Sequence, residues 1–123
     1  QPGEAVDPSA KNNYAEITLQ GFQYVAMDHG FGGDEAFNEA FSFMVLCRDQ
    51  AEIDYYWEKL SAVPEAEQCG WLKDKFGLSW QIVPEQLSEL LASASPEEAQ
   101  RVTQAFLSMK KLDIAALERA KQR

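Results

Sequence analysis

Apolar and polar residues alternate along the chain from Tyr14 onward. Ile17 and Leu19 alternate with Glu16, Thr18 and Gln20, and past Gly21, Phe22, Tyr24 and Ala26 alternate around Gln23. A period of two places every second side chain on one face of a strand. The pattern predicts a hairpin, Tyr14 to Leu19 and Phe22 to Asp28, turning at Gly21. At Phe41 to Cys47 the alternation gives way to a nearly continuous apolar run, FSFMVLC. The run is too short for a helix and predicts a buried strand.

A helical period follows directly. Ile53, Tyr56, Trp57 and Leu60 recur at i, i+3, i+4 and i+7, behind Asp49 as a cap with Glu52 three residues on. Pro64 and the acidic stretch Glu65 to Glu67 close this helix. Trp71 and Leu72, a turn near Asp74 and a strand Leu78 to Val83 then predict a second hairpin. After Pro84 the pattern is wholly helical. Leu87, Leu90 and Leu91 begin it; Ser95 caps a helix with Pro96 at its first position and a stripe of Ala99, Val102, Phe106 and Met109. Asp113 caps a short last helix through Ile114 and Leu117. Residues 1 to 13 hold Pro2, Gly3, Pro8, Asn12 and Asn13 with little apolar content, which predicts a flexible end. Gly30, Gly32 and Gly33 predict a flexible connection.

Charge and cysteine content narrow the classes of function. The formal net charge is −9, which repels nucleic-acid phosphates and argues against that partner. Residues 1 to 70 carry 13 acidic residues against Lys11, Arg48 and Lys59, whereas residues 101 to 123 carry six bases against Asp113 and Glu118. The basic end complements the macrodipole of the last helix, or pairs with the acidic body of a second copy. No apolar run approaches the roughly 18 residues of a membrane span, and residues 1 to 13 lack a signal-peptide pattern, so a cytoplasmic protein without a membrane partner is expected. Cys47 and Cys69 lack a CxxC spacing and read as reduced thiols.

Three stretches, NEAFSFMVLCRDQAEIDYYWEKL, QCGWLKDKFGLSWQIVP and PEEAQRVTQAFLSMKKLDIAALERA, resemble the PhnB-like proteins labelled 3-demethylubiquinone-9 3-methyltransferase, a branch of the vicinal oxygen chelate superfamily. The resemblance runs from about Tyr14 to Lys121. It implies an α+β fold of glyoxalase/bleomycin-resistance-like βαβββ modules with C-terminal helices. Family proteins begin with a strand and helix not found here, so the first module is incomplete in this chain. The implied organisation is a flexible segment at 1–13, a vicinal oxygen chelate-like domain at 14–94 and a helical extension of the same domain at 95–123. A homodimer sharing one barrel-like sheet is also implied, covering edges that a missing strand would leave.

In metal-dependent members of the superfamily, His, Glu or Gln side chains converge from the strands of each module on a divalent ion. Position by position, the resemblance puts Ser42 at the histidine's place, Gln81 at the glutamate's, and Ala26 or Met27 at a third. A hydroxyl, an amide and an apolar group make a poor site for a hard metal, so no metal ligand is expected. His29, beside Asp28, is the one histidine and the one candidate general acid or base; the plainer reading is a solvated loop histidine. Tyr24, Met27, Ser42, Trp71, Trp80 and Gln81 are the candidate ligand-pocket residues, with the amide and hydroxyl orienting a flat small molecule among aromatic walls. For any single aromatic, core packing is the plainer alternative. Asp74 and the lysines beside it read as turn residues in water.

The methyltransferase label finds little support in the residues. Gly30-Phe31-Gly32-Gly33 leads into a strand rather than opening a nucleotide-binding helix. The expected protein is a cytoplasmic dimer with a metal-free, cofactor-free cavity for a small organic ligand. The alternatives are a methyltransferase using S-adenosylmethionine on a 3-demethylubiquinone-like phenol, a metal-dependent glyoxalase- or dioxygenase-like enzyme, and an interaction protein using its basic helical end.

Overall fold

A computed structural model describes residues 15–26 and 37–122. The chain divides into two compact units, Gln1–Glu35 and Ala36–Arg123. The described part of the first unit is an antiparallel hairpin of β1, Ala15–Leu19, and β2, Phe22–Ala26. Gln20 and Gly21 form its turn with φ of 50° and 79°. Two successive left-handed residues give the turn a twist that matches right-twisted strands, and glycine takes the second position without strain. Ile17 pairs with Tyr24 and Leu19 with Phe22, so the alternation read from the sequence forms one apolar face. On the opposite face Gln23 donates to Glu16 at 2.7 Å. The expected strand end at Asp28 and the glycine-rich connection lie outside the described residues.

The second unit is mixed α+β. Its sheet runs β3, Ser42–Cys47, then β5, Ser79–Pro84, then β4, Trp71–Lys73. The outer β3 lies parallel to β5, and β4 lies antiparallel to it. Between β3 and β4 comes α1, Gln50–Leu60, followed by a single 3-10 turn, Pro64–Ala66. Together with β4 this segment makes the parallel crossover from β3 to β5, which needs a dozen residues or more. The Asp49 carboxylate accepts the Glu52 N–H at 2.9 Å, and Glu52 accepts the Arg48 N–H at 2.9 Å. The Asp49–Glu52 spacing therefore starts the helix as read, with the returning bond displaced one residue upstream.

Helix α1 covers one face of the sheet. That face is built from Phe43, Val45 and Cys47 on β3, Trp80, Ile82 and Pro84 on β5 and Leu72 on β4, paired in rows by the register. Val45, Cys47, Leu72, Ile82 and Ile53 of α1 are buried. Only half of β3 joins this core. Met44 and Leu46 are 55% and 50% exposed on the other face, so the expectation of a buried strand holds for alternate residues only. A continuous apolar run carries no information on which face is covered.

The chain ends in α2, Leu87–Ala92, α3, Pro96–Leu107, and α4, Ile114–Gln122. Ser95 forms a complete capping box with Glu98, and Asp113 accepts the Ala116 N–H at 3.1 Å. Val102, Leu112 and Leu117 are buried. Backbone geometry at Cys69 and Gly70, with φ of 53° and 88°, holds this helical region to the sheet. Their N–H groups donate to Met109 and Lys110 carbonyls, each at 2.8 Å. A β-carbon on Gly70 would meet the Ile82 carbonyl and the Leu112 side chain at 3.2 Å, so both close packing and conformation call for glycine there.

Candidate functional site

The sheet face turned away from α1 is a grid that the strand register defines. Ser42, Ser79 and Lys73 form its first row across β3, β5 and β4; Met44, Gln81 and Trp71 form the second; Leu46 and Val83 form the third. Strand alternation puts these side chains on one face because their neighbours Phe43, Val45, Leu72, Trp80 and Ile82 occupy the other. Polarity falls from the first row to the third. Gln81 Nε2 donates to Ser42 Oγ at 3.0 Å, bridging β3 and β5. The amide carbonyl of Gln81 remains an acceptor on this face, and Trp71 supplies an aromatic wall beside it.

A cavity of about 400 Å³ lies at the β4 edge of the sheet, lined by Trp71, Lys73 and the buried Ser79 of this face, by Leu72 of the other face, and by Glu39, Glu65 and Cys69 among others; it adjoins the Ser42–Gln81 pair without being lined by it. This volume lies within the range of small-molecule sites, roughly 300 to 1,000 Å³. Lys73 forms an ion pair with Glu39, whose side chain is 66% exposed against 25% for the lysine. The hydrogen bond from Lys73 holds the Glu39 carboxyl below its ordinary value. Lys73 is therefore a half-buried cation facing a cavity and not a turn residue in water. Asp74 departs from that expectation too: its carboxylate accepts the Phe76 and Leu78 N–H groups at 2.8 and 3.0 Å and the Trp80 indole N–H at 2.9 Å.

Of the six pocket residues expected from the sequence, Ser42, Gln81 and Trp71 come together on the open face. Trp80 does not join them. It lies on the α1 face, 7% exposed, with its ring 5.2 Å from that of Phe43, because it follows Ser79 and precedes Gln81 in a strand whose side chains alternate. Tyr24 stands on β2 of the first unit, half-buried opposite Ile17. Met27 and His29 lie outside the described residues. Lys73, Ser79, Met44 and Glu39 were missed by sequence reasoning. The i, i+2 spacing of Lys73 with Trp71 and of Ser79 with Gln81 was the available signal for two of them.

The donor set on this face is a hydroxyl bonded to an amide, flanked by a thioether and an indole. These groups do not fit a hard divalent ion, which takes anionic oxygen or imidazole ligands. Among the described residues no three His, Cys, Asp or Glu side chains are grouped to hold a metal. The strand-to-helix junction after β3 is Arg48-Asp49, without the glycines that let a backbone approach a nucleotide phosphate.

The family described as 3-demethylubiquinone-9 3-methyltransferase matches residues 1–83. The chain belongs to that family. Among solved structures, the family's fold is shared with the PhnB protein from Bacillus cereus, provisionally described as a 3-demethylubiquinone-9 3-methyltransferase. It is 27% identical, with a TM-score of 0.52 over 68% of this chain and 74% of that one. No curated protein matches. Two of the three stretches that carry the resemblance thus belong to the PhnB-like family match, Asn38 to Leu60 entirely and Gln68 to Pro84 in all but its last residue.

Proposed function

We propose that this chain is a small-molecule-binding protein of the vicinal oxygen chelate type that holds a planar organic ligand against the open sheet face without a metal or a nucleotide cofactor. One observation carries the reading: the Gln81 to Ser42 hydrogen bond, flanked by Trp71, stands on a sheet face that α1 leaves uncovered. The pair orients polar atoms of a ligand, and the indole supplies stacking area. The superfamily's metal chemistry needs donors of another kind at these positions.

The proposal includes a homodimer and a cytoplasmic location. Met44 and Leu46 on the sheet face, and Ile17 and Phe22 on the hairpin, are all half exposed or more, and apolar surface of this kind favours cover by a second copy. The free thiols of Cys47 and Cys69 suit a reducing compartment.

Thermal unfolding of the purified protein against three classes of additive tests the reading, because a ligand that binds only the folded state raises the apparent stability. Stabilisation by planar aromatic or quinone-like molecules alone is the expected result. A rise in Tm with a divalent metal or with S-adenosylmethionine overturns the metal-free, cofactor-free reading and directs attention to the corresponding chemistry.

A further inference from the structure

We infer that the ligand of the open face carries a carboxylate, that this group sits on Lys73, and that Glu39 occupies its place in the free protein. The inference rests on the small-molecule reading above and deepens it by naming the class of ligand and its orientation. In the first row of the face, Ser42 presents a hydroxyl and Lys73 an ammonium, with the buried Ser79 between them. The third row, Leu46 and Val83, presents only hydrocarbon. A molecule lying along the face therefore meets donors at one end and apolar surface at the other, with Trp71 and Met44 flanking Gln81 between them. Such a surface matches an amphipathic molecule with an acidic head and a flat apolar body.

The head group's chemistry is indicated by the protein's own side chain. Lys73 lines the 400 Å³ cavity, and its partner there is the Glu39 carboxylate. The two partners differ in environment: the Lys73 side chain is 25% exposed, its stem lying on the sheet, whereas that of Glu39 is 66% exposed, on a turn beside Asn38 and Ala40. Glu39 is thus an exposed placeholder beside a more covered lysine. Exchange of one carboxylate for another keeps Lys73 paired throughout. Glu39 released into water regains hydration on an exposed turn.

Isothermal titration calorimetry with 4-phenylbenzoate and its uncharged counterpart 4-phenylbenzamide tests this. The full chain is expected to bind the carboxylate about tenfold more tightly than the amide. Lys73→Met is expected to erase that margin, and Lys73→Arg to keep most of it. Glu39→Gln, on an exposed turn where folding is not at stake, is expected to tighten carboxylate binding several-fold by removing the internal competitor. Equal affinity for the two probes, or a carboxylate affinity indifferent to both Lys73→Met and Glu39→Gln, overturns the inference while leaving the face as a ligand site if Trp71→Ala abolishes binding. If neither probe binds, or Trp71→Ala changes nothing, the reading of the face itself fails and the carboxylate assignment fails with it.

Discussion

Asp74 shows how much one side chain in a turn determines. Its two oxygens accept three donors, closing the β4–β5 hairpin and anchoring the Trp80 indole against the core. Asp74→Ala removes all three acceptors and is expected to cost about 2 to 4 kcal/mol, measured by urea unfolding; a loss below 0.5 kcal/mol would mean that water replaces the carboxylate fully. Sequence reading placed Asp74 in a turn and stopped there. Turn chemistry is local, but the reach of the carboxylate to Trp80 depends on how the hairpin closes. Cys47 is decided by burial in the same way: desolvation, with lesser contributions from Glu52, Asp49 and Glu85, pushes its thiol up to about 12. The folded state keeps this proton above the pH at which the unfolded chain loses it. The associated stability is fully present below an unfolded pKa of about 9 and is lost as pH rises toward 12. Alkylation at neutral pH is accordingly expected to modify Cys47 only after unfolding, as peptide mapping of iodoacetamide-treated protein in native buffer and in denaturant will show.

Helix α1 is tied to α4 by one glutamine. Gln50 donates to the Leu112 carbonyl at 2.9 Å and to Asp54 at 3.1 Å, and its carbonyl accepts the Ile114 N–H at 2.9 Å. It thereby joins the start of α1 to the entry of α4, 62 to 64 residues along the chain. Gln50→Ala leaves two half-buried backbone groups without this partner and is expected to cost about 1 to 3 kcal/mol, with faster amide exchange in α4 than in α3. Uniform acceleration across both helices would show that they open together. The caps themselves were legible. Asp49, Ser95 and Asp113 each act within one helical turn of their position, so spacing alone identifies them. The partner of Gln50 was not legible, because nothing in a local pattern specifies a contact across that distance. The strand β3 falls between: its type followed from length and apolar content, and its half-exposed state from the single layer of helix over the sheet.

Across the whole molecule, charge and apolar exposure pose the question of association. Among the described residues no helix is long and apolar enough to cross a membrane. The exposed Met44 and Leu46 lie on the same face as Gln81 and Trp71, so a second copy laid over the third row would close the apolar end of the ligand site. Met44→Lys combined with Leu46→Glu is expected to convert a dimer into a species of 13.8 kDa by sedimentation velocity at micromolar concentration. A wild-type protein that already sediments as a monomer across that range removes the dimer from the proposal. The sequence by itself determined the element order, the strand and helix types, the caps, the family and the placement of Ser42, Gln81 and Trp71 on strands, because all of these follow from periods of two and 3.6, from turn chemistry or from matched motifs. Only the tertiary structure decided which strand face α1 covers, and with it that Trp80 belongs to the core while Lys73 and Ser79 join the open face. A strand's period divides its residues into two faces without naming either. The face that becomes core is chosen by the helix packed against it, and that choice is made by contacts between residues far apart in the chain.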